Sequence, residues 1–490
     1  MSQLLYTLVT YQQVSEIVTY GVTVLILVSS IDDLFIDGWY WLRELYRWYW
    51  IKAQHPALKV EALEAKAERP IAIMVPAWKE YDVIAAMLNT NAKFLRYSDY
   101  QFFVGVYQND PETIAQVRAA TKRLPNVNMA IVPRDGPTNK ADCLNVVLAQ
   151  IIEYERRAGK EFVGIALHDS EDVIHPYELQ LFNYLLDRMD LIQLPVYSLH
   201  RGLDEFVAGT YMDEFAEWHS KDLVVRESMT GVVPCAGVSA CFSRRAVMVL
   251  RDEREGEVFS TASLTEDYDI AFRLHKLGMR EIFVRFPIQF TVRIFNEAAQ
   301  PVFVAKRLPI ATREYFPSDF RAAYRQRARW LIGIIFQGWS QHGWIGGAGA
   351  KYFFLRDRKG LITAPGALLA YFVMTNLIVI DLLFRYFPDN QIMQYTLLNT
   401  TGYRIILGLN FIFLLNRLVQ RTFFTTRIYG LPAGLMAGPR MIVSNFLNFF
   451  ATMRAISIFT QHKLTGKPIV WDKTHHTYPI PVGEGLVASS

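Results

Sequence analysis

Long apolar segments stand near both ends of the chain, and shorter apolar runs alternate with polar stretches in its middle. Residues 14–36 are mostly apolar, and a second apolar segment covers residues 361–387. A third and shorter one covers residues 403–418. About 20 apolar residues in a helix cross the hydrocarbon core of a bilayer. The pattern therefore predicts membrane helices on both sides of a central water-soluble domain.

The central part of the chain has the pattern of strands that alternate with helices. Short apolar runs occur at residues 71–75, 102–107, 129–132, 162–167, 191–195 and 282–290. Helical stretches separate most of them, which favours an α/β domain with a mainly parallel sheet. A polar linking helix is predicted before it, over residues 53–68. Ligands of such sheets bind at the carboxyl ends of the strands.

Residues 441–460 are ambiguous because they are long enough to span a membrane but carry polar side chains three or four positions apart. These side chains are Arg440, Ser444, Asn445, Asn448 and Thr452. We interpret the segment as an amphipathic helix in the membrane interface, with a spanning helix as the alternative. Residues 317–346 are also predicted to lie in the interface.

The distribution of basic residues predicts the topology. Residues 1–42 contain no Lys or Arg, whereas Arg43, Arg47 and Lys52 follow at once. Aromatic rings interleave with these bases over residues 38–50, a pattern typical of the lipid headgroup layer. Because basic loops remain on the cytoplasmic side, we expect an external N-terminus and a cytoplasmic central domain.

The composition agrees with membrane helices on both sides of a central α/β domain. The 490 residues are 51% hydrophobic and 14% aromatic, and the apolar excess lies in the terminal segments. A net charge of +4 indicates no particular partner, and nucleic acid is not expected. Three cysteines without a CxxC pair are interpreted as reduced and buried. The predicted units are 1–52 (membrane helix and aromatic segment), 53–316 (α/β domain), 317–346 (interface helix), 361–420 (two membrane helices) and 421–490 (interfacial helix and tail).

Four clusters of polar side chains occur in order along the central domain and its flank. They are Asn109-Asp110, Asp169-Ser170-Glu171-Asp172, Thr265-Glu266-Asp267 and Gln326-Arg327-Ala328-Arg329-Trp330. The carboxylates of the second cluster repel one another unless a cation or hydrogen bonds compensate them. Oxygen ligands suit Mg²⁺ or Mn²⁺, whereas zinc would need Cys or more His. We therefore predict a divalent ion at this cluster, against a solvated acidic turn.

Three loop segments are candidates for nucleotide binding. Pro76 and Glu80 follow the first predicted strand, and Asp110 follows another. Asp110 could accept a hydrogen bond from a base or a ribose, but an ordinary helix cap is the structural alternative. Lys140 precedes a helix and could meet diphosphate charge, with a solvated helix start as the alternative.

The third and fourth clusters suggest the chemistry itself. Glu266 and Asp267 open a helix, where acids also favour the helix dipole. The functional interpretation makes Asp267 a general base for a hydroxyl group. Gln326, Arg329 and Trp330 share one helix face, so Arg329 could hold diphosphate and Trp330 could stack on a sugar. An interface anchor is the alternative.

Two further segments are weaker candidates. Cys235 and Gly237 lie in a small, flexible stretch that could form an acceptor wall. In the tail, Lys473, Thr474, His475 and His476 could form a loop that closes over phosphate. Adjacent histidines on an extended segment point apart, which disfavours a metal site there.

The ordered motifs resemble those of membrane-bound family 2 glycosyltransferases, which have a GT-A fold with a Rossmann-like, mainly parallel sheet. The stretch Asp169–Pro176 and the tail from Gly466 to His476 are most similar to the NfrB-like bacterial inner-membrane glycosyltransferases. The resemblance covers residues 70–345. It implies an inverting, metal-dependent transfer from a nucleotide-sugar, expected to be a UDP-sugar.

The resemblance also implies roles and partners. Asp110 would contact the base, and Asp169 would contact the nucleotide and the metal. Glu171 or Asp172 would be a further metal ligand, and Asp267 would be the base for the acceptor hydroxyl. Gln326, Arg329 and Trp330 would line the donor and acceptor site. The expected partners are a glycan or lipid acceptor, membrane lipids, and an outer-membrane or periplasmic export partner. Such proteins often carry a further domain that senses cyclic di-GMP.

Two alternatives remain open at this point. The first is transfer of a single sugar to a lipid acceptor rather than growth of a polysaccharide. The second is a non-enzymatic membrane receptor or scaffold that retains the fold, although so many uncompensated acids argue against it. A transporter is less expected because charge inside the predicted spans is sparse.

Overall fold

The computed structural model of the protein describes residues 2–254, 256–295, 301–386, 397–467, 469 and 476–479. Its strands are β1 (Ile71–Pro76), β2 (Tyr100–Tyr107), β3 (Val127–Val132), β4 (Gly164–Leu167), β5 (Leu191–Gln193), β6 (Val196–Ser198), β7 (Ala240–Ser243), β8 (Glu281–Phe283), β9 (Pro287–Phe295), β10 (Pro301–Pro309) and β11 (Thr312–Glu314).

The α-helices are α1 (Ser2–Tyr46), α2 (Lys52–Gln54), α3 (Val60–Glu64), α4 (Ile84–Phe94), α5 (Pro111–Arg123), α6 (Lys140–Ala158), α7 (Glu178–Leu185), α8 (Phe206–Glu217), α9 (Leu223–Thr230), α10 (Arg244–Glu253), α11 (Glu266–Lys276), α12 (Phe320–Leu331), α13 (Gly338–His342), α14 (Ala348–Arg358), α15 (Gly360–Tyr386), α16 (Thr401–Tyr429), α17 (Leu431–Leu435) and α18 (Ala437–Thr465). Wider π-helical turns extend α1, α8 and α12 at Arg47–Ile51, Trp218–Asp222 and Ile332–Gln337.

A seven-stranded sheet forms the centre of the α/β domain. Its strand order is β3-β2-β1-β4-β7-β5-β8, and β7 runs antiparallel to β4 and β5 while the other pairs are parallel. The residues of β1 up to Val75 are buried, which is why this strand is an unbroken apolar run rather than an alternating one. The predicted α/β fold with a mainly parallel sheet is confirmed.

Two local predictions differ from the structure, and one strand of the main sheet was not predicted. The run at 282–290 is two strands, because the chain leaves the main sheet after β8 and β9 pairs with β10 in a separate antiparallel ribbon. The linking helix predicted at 53–68 is broken near Pro56, whose ring disfavours helical backbone in the preceding residue. The short antiparallel strand β7 was not predicted from its sequence.

A long helix joins the α/β domain to the apolar helices. It runs from α8 through a π-helical turn into α9. Its buried charges pair with distant helices: Asp213 with Arg440 of α18, and Glu217 with Arg421 of α16. Lys221 lies 2.5 Å from Asp37 of α1. These ion pairs fix the position of the domain relative to the apolar helices.

Four helices in the described part of the chain are long and apolar enough to cross a membrane, by length and composition. They lie in Thr10–Gln54, Gly360–Leu382, Thr401–Tyr429 and Ala437–Thr465. The last contains the segment that we interpreted as interfacial. Its length also suits the spanning alternative, so its orientation stays a prediction.

Candidate active site

One cavity of about 1100 Å³ connects the carboxyl ends of the central strands with the space between the apolar helices. At the sheet, its wall includes Pro76 after β1 and Asp169 after β4. Among the apolar helices, it reaches Leu25 of α1, Met374 of α15 and Phe413 of α16. A ligand at the sheet edge can therefore extend directly toward the predicted membrane region.

The loop after β1 forms one side of the cavity. Pro76, Trp78 and Glu80 line it. Lys79 has a φ of 54°, an uncommon conformation for a residue with a side chain, and its backbone N–H donates to Asp110 Oδ2 at 2.5 Å. Asp110 Oδ1 accepts from the Thr113 N–H at the start of α5. Asp110 is thus a buried cap that shapes this loop, and it does not itself line the cavity.

Lys140 forms the centre of a buried cluster of charges. Its Nζ lies 2.6 Å from Asp169 Oδ1 and donates to the Gly237 carbonyl at 3.2 Å. Burial opposes the charged form, but Asp169, Glu266 and Asp267 outweigh it and raise the pKa of Lys140. The ammonium therefore joins acids from two separate chain segments.

The carboxylates of Glu266 and Asp267 begin α11 and line the cavity. Burial and the neighbouring Asp267 raise the pKa of Glu266 to about 8. Burial also raises the pKa of Asp267, against the opposing charge of Lys140. A carboxylate with a raised pKa is a stronger base, as proton abstraction from a hydroxyl requires. Gly237 lies so close that an added Cβ would be 2.5 Å from Asp267 Oδ2.

The acidic loop after β4 divides its side chains between the cavity and the interior. Asp169 and Glu171 line the cavity. Asp172 turns inward, and its Oδ2 lies 2.9 Å from His168 Nδ1. The other ring nitrogen of His168 lies 2.9 Å from Glu178 Oε1. Burial alone would lower the pKa of His168, but Glu178 and Asp172 raise it to about 10.

The tail contributes a histidine to the same site. His476 Nδ1 lies 3.0 Å from Glu80 Oε1 and 3.2 Å from Glu171 Oε2. Burial raises the pKa of Glu171 to about 8, with Asp169 and Glu80 adding to the shift and His476 opposing it. The other members of the predicted tail loop, Lys473, Thr474 and His475, lie outside the described residues.

No group of three or more His, Cys, Asp or Glu side chains within the described ranges has the arrangement of a metal site. The donor chemistry nevertheless fits a hard divalent ion. Asp169 and Glu171 present carboxylate oxygens to the cavity, and the charges of Asp169 and Glu80 add to the burial that raises the pKa of Glu171. A divalent ion would offset those charges.

The helix α12 places the fourth cluster on the opposite wall. Gln326, Arg329 and Trp330 all line the cavity. Trp330 packs among Tyr211, Phe215 and Phe316, with ring centroids 6.2 to 6.4 Å apart. Within the part of the chain that the structure describes, Arg329 has no ion pair or hydrogen bond. Its charge lies near Asp267, so it is available to an anionic ligand.

Most of the predicted residues meet in this cavity, and a few do not. Its wall contains Pro76, Glu80, Lys140, Asp169, Glu171, Cys235, Glu266, Asp267, Gln326, Arg329, Trp330 and His476. Asp110, Asp172 and Gly237 support the wall from behind rather than form it.

Sequence reasoning missed Glu314, a cavity residue at the end of β11. Burial and the charges of Asp172, Glu171 and Asp169 raise its pKa well above the ordinary value. A lone acid after a three-residue strand gave no signal, because its neighbours in space are distant in sequence. The polar cavity residues Tyr371 and Asn410 were missed for the same reason, and Asn445 was noted only as part of an amphipathic helix.

Comparison with known proteins gives matches to a family, to two relatives and to solved structures. Residues 164–386 match the family described as "Glycosyl transferase family group 2". The chain is 43% identical over 489 residues to "Bacteriophage adsorption protein B" of Escherichia coli strain K12 and, equally, to "Bacteriophage N4 adsorption protein B" of Escherichia coli O157:H7. The match covers 99% of this chain and 65% of each relative, so the chain spans about two thirds of their length.

Among solved structures, the mannosyltransferase PcManGT from Pyrobaculum calidifontis, in complex with GDP-Man and Mn²⁺, is similar with a TM-score of 0.47 and 15% identity. That similarity covers 87% of this chain and 99% of the mannosyltransferase.

Proposed function

We propose that the chain, which carries a glycosyltransferase domain of family group 2, catalyses an inverting, metal-dependent sugar transfer to a membrane-associated acceptor. This is the family predicted from its motifs. The donor is a nucleotide-sugar, and we favour a UDP-sugar from the family resemblance. The observation that carries the proposal is the single cavity that unites Asp169, Asp267 and Arg329 and continues between the apolar helices.

Asp267 is the proposed general base. Its carboxylate takes the proton of the acceptor hydroxyl, whose oxygen then attacks the anomeric carbon from the face opposite the diphosphate. The bond between the anomeric carbon and the diphosphate oxygen breaks, and the nucleotide leaves with the electron pair. Lys140 holds the surrounding acids together through Asp169 and the Gly237 carbonyl, so the base keeps a fixed position.

Charge on the leaving group is balanced from two sides. Asp169 and Glu171 are the proposed holders of Mg²⁺ or Mn²⁺, because both face the cavity whereas Asp172 faces His168. When bound, the ion would stabilise the negative charge of the diphosphate. Arg329 would donate to the diphosphate from the opposite wall, since no described carboxylate occupies its guanidinium. Trp330 would support the sugar ring, held in place by Phe316 and its aromatic neighbours.

The continuation of the cavity supports an acceptor that lies partly in the membrane. Its lining combines polar groups such as Asn410 and Asn445 with apolar ones such as Leu25 and Phe413. A growing polysaccharide fits the polar groups, and a lipid-linked acceptor fits the apolar ones. A product ladder would support the first, and one product with a single added sugar would support the second. Location in the inner membrane, an export partner and control by cyclic di-GMP stay predictions from the family resemblance.

The decisive experiment measures release of UDP from a panel of UDP-sugars by the detergent-purified chain, with Mn²⁺, Mg²⁺ or EDTA. We expect release from one donor, and its loss with EDTA. The Asp267→Asn variant should lose about 10²- to 10⁴-fold in turnover while it still binds UDP. Unchanged turnover would remove the base assignment. Failure to bind any nucleotide would favour the receptor or scaffold instead.

A matched control lies on the same helix. Asp269 is buried and pairs with His342 at 3.1 Å, but it does not line the cavity. The Asp269→Asn variant should lower thermal stability and keep turnover within a few-fold of the native value. A loss equal to that of Asp267→Asn would show that any disturbance of α11 stops the reaction, and that the base assignment lacks support.

A further inference from the structure

A fully buried charged group lies directly behind the acidic loop. His168 sits between Asp172 and Glu178, and all three side chains have an exposed fraction of 0%. Both imidazole nitrogens lie 2.9 Å from a carboxylate oxygen. Nδ1 is hydrogen-bonded to Asp172 Oδ2, whereas Nε2 contacts Glu178 Oε1 without the geometry of a hydrogen bond. The ring therefore lies between two acids.

The Asp172 side of this bridge shapes the loop that faces the cavity. Asp172 Oδ2, which lies 2.9 Å from His168 Nδ1, also accepts from the Asp169 backbone N–H at 3.0 Å. The loop is thereby folded so that Asp169 and Glu171 point into the cavity while Asp172 points away. Asn91 adds a second restraint, because its Nδ2 donates to the Asp172 carbonyl at 2.9 Å.

The Glu178 side reaches two other segments of the site. Glu178 Oε2 accepts from Ser239 Oγ at 3.3 Å and from Thr312 Oγ1 at 3.1 Å. Ser239 has a φ of 53°, a strained conformation for a serine, and it lies two residues after Gly237 beside the base. Thr312 begins β11, which ends at the cavity residue Glu314.

We propose that His168 is a positioning residue that sets the acidic loop through Asp172 and, separately, the wall around Ser239 and β11 through Glu178. This role rests on the proposed function, because it assigns Asp169 and Glu171 to the metal and nucleotide. His168 itself does not line the cavity and touches no substrate. Its two nitrogens serve two different loops, which makes the two contacts separable by substitution.

Two substitutions separate the contacts. The amide nitrogen of a glutamine lies about where Nε2 was, so His168→Gln keeps a donor toward Glu178 and loses the one toward Asp172. An asparagine amide lies about where Nδ1 was, so His168→Asn does the reverse. The readout is UDP binding by the full chain in detergent, titrated calorimetrically at a series of Mn²⁺ concentrations. Thermal unfolding is measured alongside.

We expect His168→Gln to raise the Mn²⁺ concentration for half-maximal UDP binding at least tenfold, and His168→Asn to leave it within about threefold. A general loss of stability would move both variants equally, so an equal shift, or no shift in a folded His168→Gln protein, would overturn the proposal. Glu155→Gln is the matched control. Glu155 is a buried acid that accepts from the Phe162 N–H at the opposite end of β4, and its variant should keep the native Mn²⁺ dependence.

A second variant covers the case in which His168→Gln does not fold because Asp172 is left as an uncompensated buried charge. The double variant His168→Gln/Asp172→Asn removes that charge. It should fold and still need at least tenfold more Mn²⁺. Native Mn²⁺ dependence in this variant would overturn the proposal. If the native chain bound UDP without any need for Mn²⁺, the metal assignment in the proposed function would fail instead, which is a distinguishable result.

Discussion

The Gly237→Ala substitution tests the geometry of the proposed base most directly. Gly237 has a φ of 78°, and its carbonyl accepts from Lys140 at 3.2 Å. A Cβ at this position would lie 2.5 Å from Asp267 Oδ2 and 3.5 Å from Lys140 Nζ. The added methyl group therefore meets the side chain that should take the acceptor proton.

The expected size of the effect follows from these distances. An alanine in left-handed backbone costs about 1–2 kcal/mol in stability. Ordinary contact begins near 3.4 Å, so the Asp267 carboxylate would have to withdraw by roughly 0.9 Å. A misplacement of about 1 Å at a catalytic group can lower turnover about 10²-fold. We therefore expect a modest loss of stability and a much larger loss of turnover.

Gly231 provides a control with the same backbone strain and without the contact. Its φ is 71°, and its added Cβ would meet only His275 Cε1, at 3.8 Å. UDP release, UDP affinity with Mn²⁺ and the thermal unfolding midpoint are measured for both alanine variants. Both should unfold at a lower temperature, and only Gly237→Ala should lose turnover about 10²-fold with nearly native UDP affinity. Equal turnover in the two variants would refute the placement of the base against Gly237.

Three further predictions address the other charged groups. Arg329→Met should weaken UDP binding, measured by calorimetry, by about 1.5–3 kcal/mol, the contribution of hydrogen bonds to a charged group. The thermal unfolding midpoint should stay unchanged, because Arg329 has no described partner to lose. Native UDP affinity would contradict this prediction. The pKa of Glu266 rises from 4.5 to about 8 on folding, so its contribution to stability is present below pH 4.5 and is lost as the pH rises through 8. The unfolding midpoint should fall over that interval, and Glu266→Gln should flatten the fall; an unchanged profile in the variant would exclude this group as the cause. Lys221→Met leaves Asp37 and Glu217 without their shared cation and should cost about 3–5 kcal/mol of stability. This loss should be seen as a lower unfolding midpoint in detergent. A native midpoint would show that other cations compensate these two acids.

Local patterns in the sequence predicted the elements that depend on near neighbours. The apolar runs predicted β1 to β5 to within a few residues, because a strand buried on both faces needs consecutive apolar side chains. The helix start at Asp267 and the shared face of Gln326, Arg329 and Trp330 also follow from spacing along the chain. The prediction at 282–290 was wrong because nothing local marks where a strand leaves one sheet and joins another.

Other features depend on contacts between distant parts of the chain, and only the tertiary structure decided them. Asp172 and Glu171 are neighbours of the same chemical type, yet His168 holds Asp172 inward while Glu171 faces the cavity. His476 reaches Glu80 across almost 400 residues. The sequence by itself determined which side chains could perform sugar transfer and where apolar helices would form. Which acids face the ligand depended on the partners that burial requires for each charge, and folding alone brings those partners together.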